Sequence, residues 1–229
     1  MKKKSLLLAA LSLVMVGAIA VGGTMAYFTA EKTVANTFSV GNVAITLDEA
    51  KVTKDPATST WTADPTAPRV TENKYESVYP GATLPKDPTV TLTAGSSDAY
   101  VRVRVVIDSA KAWKAACEKH GVTLEDIFLE HPAAQWSRVS YVWNADDTVT
   151  LVYNLNTKLS RAVNAVSTAT LFQSVRIPSP FTSAEMAAIG GFSMNLTAEA
   201  IQAEGFTDSA AAFAALDAQI APPVVSPAA

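Results

Sequence analysis

Apolar and polar residues alternate with a period of two along several stretches of this chain, a pattern typical of half-buried β-strands. One stretch runs from Val43 to Leu47 and another covers residues 89–93. A third, residues 100–107, has valines on one side and Arg102 and Arg104 on the other. We expect the valine side to face a core and the arginine side to face solvent.

The same alternation predicts strands in the second half of the chain. Residues 136–155 read as a hairpin that turns at residues 144–147, with Val139 on its apolar face. Residues 171–177 predict one further strand. Residues 192–200 predict a long strand whose outward side carries Glu199. With the earlier stretches, this gives about seven or eight strands.

Helical periodicity appears in short segments between these strands. The predicted helices cover residues 108–120, a short turn at 123–129, residues 182–190 and residues 208–218. Asp108 or Ser109 is expected to cap the first of them, and Thr182 with Glu185 forms a capping-box pattern. Two or three of these segments count as accessory helices of a β domain.

The elements together predict one mainly β domain over residues 38–218, an antiparallel sandwich with two insertions. The first insertion, residues 49–74, is rich in Thr, Asp and Pro, and reads as a long loop or loose hairpin anchored by Trp61. The second, residues 108–130, is helical.

The N-terminus has the features of an export signal. Lys2–Lys4 precede 16 mostly apolar residues, after which Thr24 and Ala26 supply small side chains at alternate positions. This predicts cleavage between Ala26 and Tyr27, with a retained membrane anchor as the alternative. Residues 27–37 would then form a free N-terminal arm, and residues 219–229 are expected to be a disordered tail.

Charge and composition narrow the range of partners. The formal net charge of the whole chain is −3. The leader holds three of the 18 basic residues, so the rest of the chain has 15 basic and 21 acidic residues and a net charge of −6. This balance argues against a nucleic-acid partner. We expect membrane contact only through the uncleaved signal. Cys117 is the single cysteine, so no disulfide within the chain is possible.

A search for catalytic or metal-binding patterns favours a protein that is not an enzyme. His120 and His131 are the two histidines, and neither stands in a paired-ligand spacing. Cys117 shares a helical face with Trp113, which predicts a buried thiol. We therefore expect no catalytic residues, no metal and no cofactor, and a binding or structural role.

Several short pieces resemble the TasA/camelysin family of exported proteins. The N-terminal pieces are the basic start, the apolar run, Gly22-Gly23-Thr24, Ala26, Phe28, Asn36-Thr37-Phe38, Gly41 and Leu47-Asp48. The interior pieces are residues 78–81, 97–102 and 198–206. Between these pieces lie long segments that resemble nothing in the family.

The resemblance implies a jelly-roll β-sandwich that lives outside a Gram-positive cell, with its signal cut by a signal peptidase of the SipW type. For TasA-like members it implies extracellular fibres of the biofilm matrix, in which the freed arm adds as a strand to the next subunit. Phe28, Val34 and Phe38 would then fill pockets, each worth about 1.5–3 kcal/mol if fully buried.

Two alternatives remain open at this point. Camelysin-like members carry a metallopeptidase label, although the zinc motif is absent from this chain. The other alternative is a monomeric surface adhesion module that binds through Trp61 or through the Arg102 and Arg104 face.

Overall fold

The computed structural model describes residues 29–33, 36–39, 42–132 and 134–220. In this part the chain forms 14 strands in four antiparallel sheets, three α-helices and one 3₁₀ turn. The predicted fold class, mainly β with a few accessory helices, is confirmed. The jelly-roll connectivity stays a prediction.

The elements follow one another in this order. The strands are β1 (Thr29–Thr33), β2 (Asn36–Ser39), β3 (Ile45–Asp48), β4 (Lys51–Lys54), β5 (Trp61–Asp64), β6 (Thr83–Pro85), β7 (Thr89–Leu92), β8 (Ala99–Ile107), β9 (Phe128–Leu129), β10 (Trp136–Trp143), β11 (Val149–Leu155), β12 (Thr168–Thr170), β13 (Ser174–Arg176) and β14 (Met194–Gln202). The helices are α1 (Ala110–His120), α2 (Ser183–Ile189) and α3 (Ser209–Ile220), and the 3₁₀ turn covers Leu124–Ile127.

The largest sheet, here called the core sheet, has the strand order β10-β11-β8-β14-β1-β2. Its central strands β8 and β14 pair along their whole length, from Met194 opposite Ile107 to Gln202 opposite Ala99. The smaller sheets have the orders β12-β7-β3, β6-β13-β9 and β4-β5. The N-terminal residues thus form the last two strands of the core sheet.

One apolar cluster fills the space between the core sheet and the smaller sheets. The alternating residues predicted to face inwards do so, since Val101, Val103 and Leu196 are buried against Leu47 and Leu92 of the opposite layer. Burial of this branched apolar surface is the main contribution to the stability of a sandwich.

The outer face of the core sheet is also covered. Helix α3 lies against it, and Phe213 and Leu216 form a second cluster with Tyr100 of β8 and Ile201 of β14. The prediction that this face is solvated is therefore wrong around Arg102, which is 5% exposed. Alternation along a strand shows only that the two faces of its sheet differ. That both faces of the core sheet are covered depends on α3, which lies more than 100 residues later in the chain.

The insertion at residues 49–74 is the predicted loose hairpin. Strands β4 and β5 pair antiparallel from Lys51 opposite Asp64 to Lys54 opposite Trp61. The segment that follows β5 is held to the body by Arg69, which donates hydrogen bonds to Asp48 at 2.5 Å and Asp87 at 2.9 Å.

Helix α1 begins later than predicted and takes its cap from another element. Ser109 has a positive φ of 57° and makes no side-chain cap, while Asp108 accepts hydrogen bonds from Ser193. Asp147, from the β10–β11 turn, accepts from the backbone N–H of Lys111 at 2.8 Å. A free backbone N–H of the first helical turn is thus satisfied by a residue from another element.

Two predicted strands differ from the structure. The predicted strand at 171–177 is shorter than expected: β13 covers only Ser174–Arg176, and residues 171–173 separate it from β12, which belongs to another sheet. In β10, Arg138 pairs with Tyr153 and Ser140 with Val152, so Val139 is an extra residue in a β-bulge. The bulge turns Val139 outwards, where it is 52% exposed.

Candidate functional site

The candidate site is the edge of β14 together with the N-terminal strand that covers it. Strand β1 pairs antiparallel with β14, from Thr29 opposite Ile201 to Thr33 opposite Thr197. Strand β2 then pairs with β1 and forms the outer edge of the sheet. The arm predicted from the sequence therefore occupies this edge in the chain's own fold.

The pairing on the two sides of β14 differs in length. Strand β8 accompanies β14 from Met194 to Gln202, while β1 accompanies it only from Thr197 to Ile201. Among the described strands, none lies beside residues 194–196 on the β1 side. Backbone groups on such a stretch are open to pairing with another chain.

A cleft of about 820 Å³ adjoins residues 194–196 of β14. Its apolar wall includes Leu47, Leu84 and Leu196, all of them buried residues of the sandwich. Met186 and Phe192 add flexible and aromatic surface. The cleft can accept apolar side chains of an extended segment beside β14.

A buried ion pair lines the same cleft. Lys86 Nζ donates to Glu49 Oε2 at 2.7 Å, and both side chains are largely buried. The Tyr75 hydroxyl donates to the Pro85 carbonyl, and burial raises the pKa of this phenol, with the Glu49 and Asp87 charges acting in the same direction. These groups satisfy one another, so they are supports of the cleft and not free reactive groups.

A row of charged residues crosses the outer face of the core sheet at the same edge. Arg102 of β8 stands opposite Glu199 of β14, and Glu199 stands opposite Glu31 of β1. Arg102 Nε donates to Glu199, and the terminal nitrogens of Arg102 donate to both oxygens of Asp217 at 2.8 Å. Asp217 belongs to α3, so the row links the helix to the β14 edge.

The electrostatics of this row follow from burial and hydrogen bonding. Burial disfavours the charged guanidinium, but hydrogen bonds to Asp217 and Glu199 outweigh it, so the pKa of Arg102 is raised. The hydrogen bonds from Arg102 lower the pKa of Asp217. The Arg102 guanidinium also lies 4.6 Å from the centre of the Phe213 ring.

The sequence-predicted contact residues have mixed outcomes. Trp61 is 7% exposed and packs near Tyr75 and Tyr79, so it anchors the insertion but is not a surface contact. Arg102 is equally unavailable because α3 covers it. Arg104 keeps 39% of its side chain exposed and is the one of the three that stays accessible.

Of the predicted arm residues, Phe38 lies in β2 at the register position opposite Glu31. Thr24, Ala26, Tyr27, Phe28 and Val34 lie outside the described residues, as does the tail beyond residue 220.

Glu199 and Asp217 were missed by the sequence prediction. A signal for them existed, because Tyr100, Val106 and Ile201 are apolar residues at outward positions of the same two strands. Large apolar side chains on a supposedly solvated face indicate that something covers it.

The histidines and the cysteine have structural partners. His120 Nε2 lies 3.0 Å from Glu185 Oε2, and His131 Nδ1 lies 2.7 Å from the Leu171 carbonyl oxygen. Among the described residues no group of three metal-ligating side chains converges. Cys117 is buried as predicted, and burial raises the pKa of its thiol to about 11.

No helix within the described ranges has the length and apolar character needed to cross a membrane. No protein-family model, no curated protein and no solved structure matches this chain.

Proposed function

We propose that this protein is an exported extracellular structural subunit that self-associates into fibres through its N-terminal strands after the leader is removed. The observation that supports this proposal is the pairing of β1 with β14 near the border of the core sheet. A short hairpin that forms the border of a sheet, with β1 on β14 and β2 outside it, can be exchanged for the same hairpin of another copy.

The sequence places this strand directly behind the export signal. Strand β1 starts at Thr29, the third residue after Ala26, where cleavage is predicted. Removal of the leader would free the end of a strand that is already complementary to β14. Processing would therefore control when assembly begins, as the resemblance to TasA-like proteins implies.

The physical basis of the exchange is that both states contain the same contacts. Strand β1 forms the same hydrogen bonds and the same register on β14, whether it comes from its own chain or from a neighbour. A head-to-tail exchange whose rotation does not close into a ring gives a filament. The open residues 194–196 and the cleft beside them extend the surface that receives a neighbour.

A mixed disulfide experiment tests whether the exchange occurs between chains. One preparation starting at Tyr27 carries Thr33→Cys and a second carries Thr197→Cys, because these residues are register partners. We expect the mixture to form a disulfide-linked heterodimer on mild oxidation. Native Cys117 is buried and leaves the readout to the introduced thiols.

Electron microscopy and sedimentation of the same processed protein test whether exchange gives fibres. We expect fibres from the chain starting at Tyr27, and none after deletion of residues 27–39. Deletion of residues 221–229 is the matched control and should leave assembly intact. A processed protein that stays monomeric at high concentration, or fibres that persist without residues 27–39, would exclude the proposal.

A further inference from the structure

The cleft beside residues 194–196 of β14 is lined by both apolar and charged side chains. Its apolar part, here called the leucine wall, consists of buried residues from three different sheets, namely Leu47, Leu84, Val175 and Leu196. A cleft of about 820 Å³ has room for a small amphiphilic molecule. The charged side chains of the lining then decide which kind of amphiphile is favoured.

A buried carboxylate follows directly on the leucine wall. Ile45, Leu47 and Glu49 occupy every second position along the chain and all three are buried, so Glu49 stands where a further apolar residue is expected. Lys86 Nζ donates to Glu49 Oε2 at 2.7 Å and holds this carboxylate in place. Among the described residues, Glu49 Oε1 accepts no hydrogen bond, so the ion pair leaves Glu49 one free acceptor.

The lining as a whole has an excess of negative charge. Of the described residues, it contains the carboxylates of Asp48, Glu49 and Glu72 and the ammonium groups of Lys74 and Lys86. Arg69 and Asp87, which lie next to the lining, bind each other and leave this balance unchanged. Three negative charges against two positive ones favour a cation in the cleft.

The electrostatics of Tyr75, another residue of the lining, agree with this balance. Burial raises the pKa of the Tyr75 phenol, and the charges of Glu49 and Asp87 raise it further. Negative charge therefore dominates the field at this side chain. Tyr75 and Phe192 also bring two aromatic rings to the lining, and such rings attract ammonium groups.

We propose that this cleft binds a cationic amphiphile, a small molecule that carries an ammonium group on an apolar chain. The chain packs against the leucine wall, and the ammonium group binds the carboxylates of Glu49 and Glu72. An anionic amphiphile meets the same apolar surface with an unfavourable charge, so the carboxylates provide the selectivity. The proposal goes beyond fibre assembly, since it concerns a site within a single subunit.

Three probes with the same alkyl chain test the preference for a cation. Octylammonium, octanol and octanoate differ in their head groups, so the leucine wall treats them alike. Calorimetric titration of the chain starting at Tyr27, at low salt and before fibres sediment, measures their affinities. We expect octylammonium to bind about five- to twentyfold more tightly than octanoate, with octanol between them. Added salt should reduce this difference.

Amide chemical shifts measured by NMR show whether the probe occupies this cleft. Gly190 and Gly191 belong to its lining, whereas Gly95 and Gly121 lie elsewhere and serve as internal controls. We expect octylammonium to shift the amide signals of the first two glycines and to leave those of the other two unchanged.

Two exposed residues of the lining with opposite charges form a matched pair of variants. We expect Glu72→Gln to weaken octylammonium binding by about two- to threefold and Lys74→Gln to strengthen it by a similar factor, because both charges are screened by solvent. Octanol binding should stay the same in both variants. Glu49→Gln should have a larger effect than Glu72→Gln, and the matched pair decides the question if this variant does not fold.

Each outcome has a separate meaning. Equal affinities for the three probes, or tighter binding of octanoate, would overturn the proposal, as would shifts of Gly95 and Gly121 without shifts of Gly190 and Gly191. Changes of the same sign in Glu72→Gln and Lys74→Gln would overturn it too. A chain that binds octylammonium in the cleft and never forms fibres would support this site and count only against the fibre function.

Discussion

Arg102 is the residue on which the outer face of the core sheet depends. It joins β8 to β14 through Glu199 and to α3 through Asp217, and its guanidinium stacks on Phe213. The Asp217 carboxylate is 58% exposed, so solvent screens that contact. The Glu199 carboxylate is 8% exposed, and its charge relies on the arginine.

Replacing Arg102 should therefore destabilise the fold mainly because Glu199 is left without its partner. We expect Arg102→Met to lower the free energy of unfolding by about 3–5 kcal/mol, since Glu199 becomes a buried charge without its main partner. Urea denaturation monitored by fluorescence measures the change.

A second variant separates the buried charge from the packing. The double change Arg102→Met with Glu199→Met should recover most of the lost stability, because an apolar pair of similar volume leaves no unpaired charge. If the double variant is no more stable than Arg102→Met alone, the explanation through Glu199 is wrong.

At the scale of secondary-structure elements, helix α2 depends on the side chain of Glu185. Glu185 forms the predicted capping box with Thr182 and also contacts Lys119 and His120 of α1. The Lys119 ammonium, the Thr182 backbone N–H and His120 hold the pKa of Glu185 far below its usual value of 4.5. The carboxylate thus joins two helices through its ionised form.

This arrangement predicts a pH-dependent contribution to stability. A depressed pKa in the folded state stabilises the fold above the unfolded pKa, and the contribution is lost as pH falls towards the folded value. We expect Glu185→Gln to be less stable than the unmodified chain at pH 7, with the difference shrinking below pH 4.5. Urea midpoints measured from pH 7 to pH 3 would show it. Glu118→Gln, on the exposed side of α1, is the control; a difference that does not change with pH would contradict the prediction.

The elements also show what sequence patterns determine. Local signals were sufficient for the Thr182–Glu185 capping box, for the end of α1 at His120, and for the inward valines of β8. They failed where a distant segment decides the outcome. Asp147 caps α1 from a hairpin 36 residues away, and the sequence around Ser109 does not indicate this contact.

The candidate site was predicted only in part, for the same reason. The position of the arm next to the first strand follows from the export pattern, but its pairing with β14 joins residues far apart in sequence. Glu31, Glu199 and Arg102 come from three separate strands, and only the register aligns them. A single sequence carries no record of register between distant strands.

In the whole molecule, the two edges of the core sheet are built differently. One edge is the N-terminal hairpin on β14, and the other is β10, whose ladder is interrupted at Val139. Beside the bulge, Arg138 pairs with Glu125 and lies over Tyr141. Bulges and charges of this kind protect an edge strand from pairing with other chains.

Removing the bulge should remove this protection. We expect deletion of Val139 to restore a regular ladder between β10 and β11, and to produce association that does not require the arm. Light scattering on a chain that also lacks residues 27–39 would detect it.

Val142→Ser, on the same strand, is the comparison variant, because it changes exposed apolar surface without altering the register. If the Val139 deletion stays as dispersed as its parent, the bulge is not what protects this edge.

The extra residue in β10 also sets a polarity for any assembly built from this chain. The bulged border at β10 would not pair with another subunit, whereas the β14 border would receive the N-terminal strands of a neighbour. Each subunit would therefore have one donor end and one acceptor end. A thread made this way would have two distinguishable tips and would lengthen without branching. Neither border of the core sheet would then be left for a second thread to join side by side.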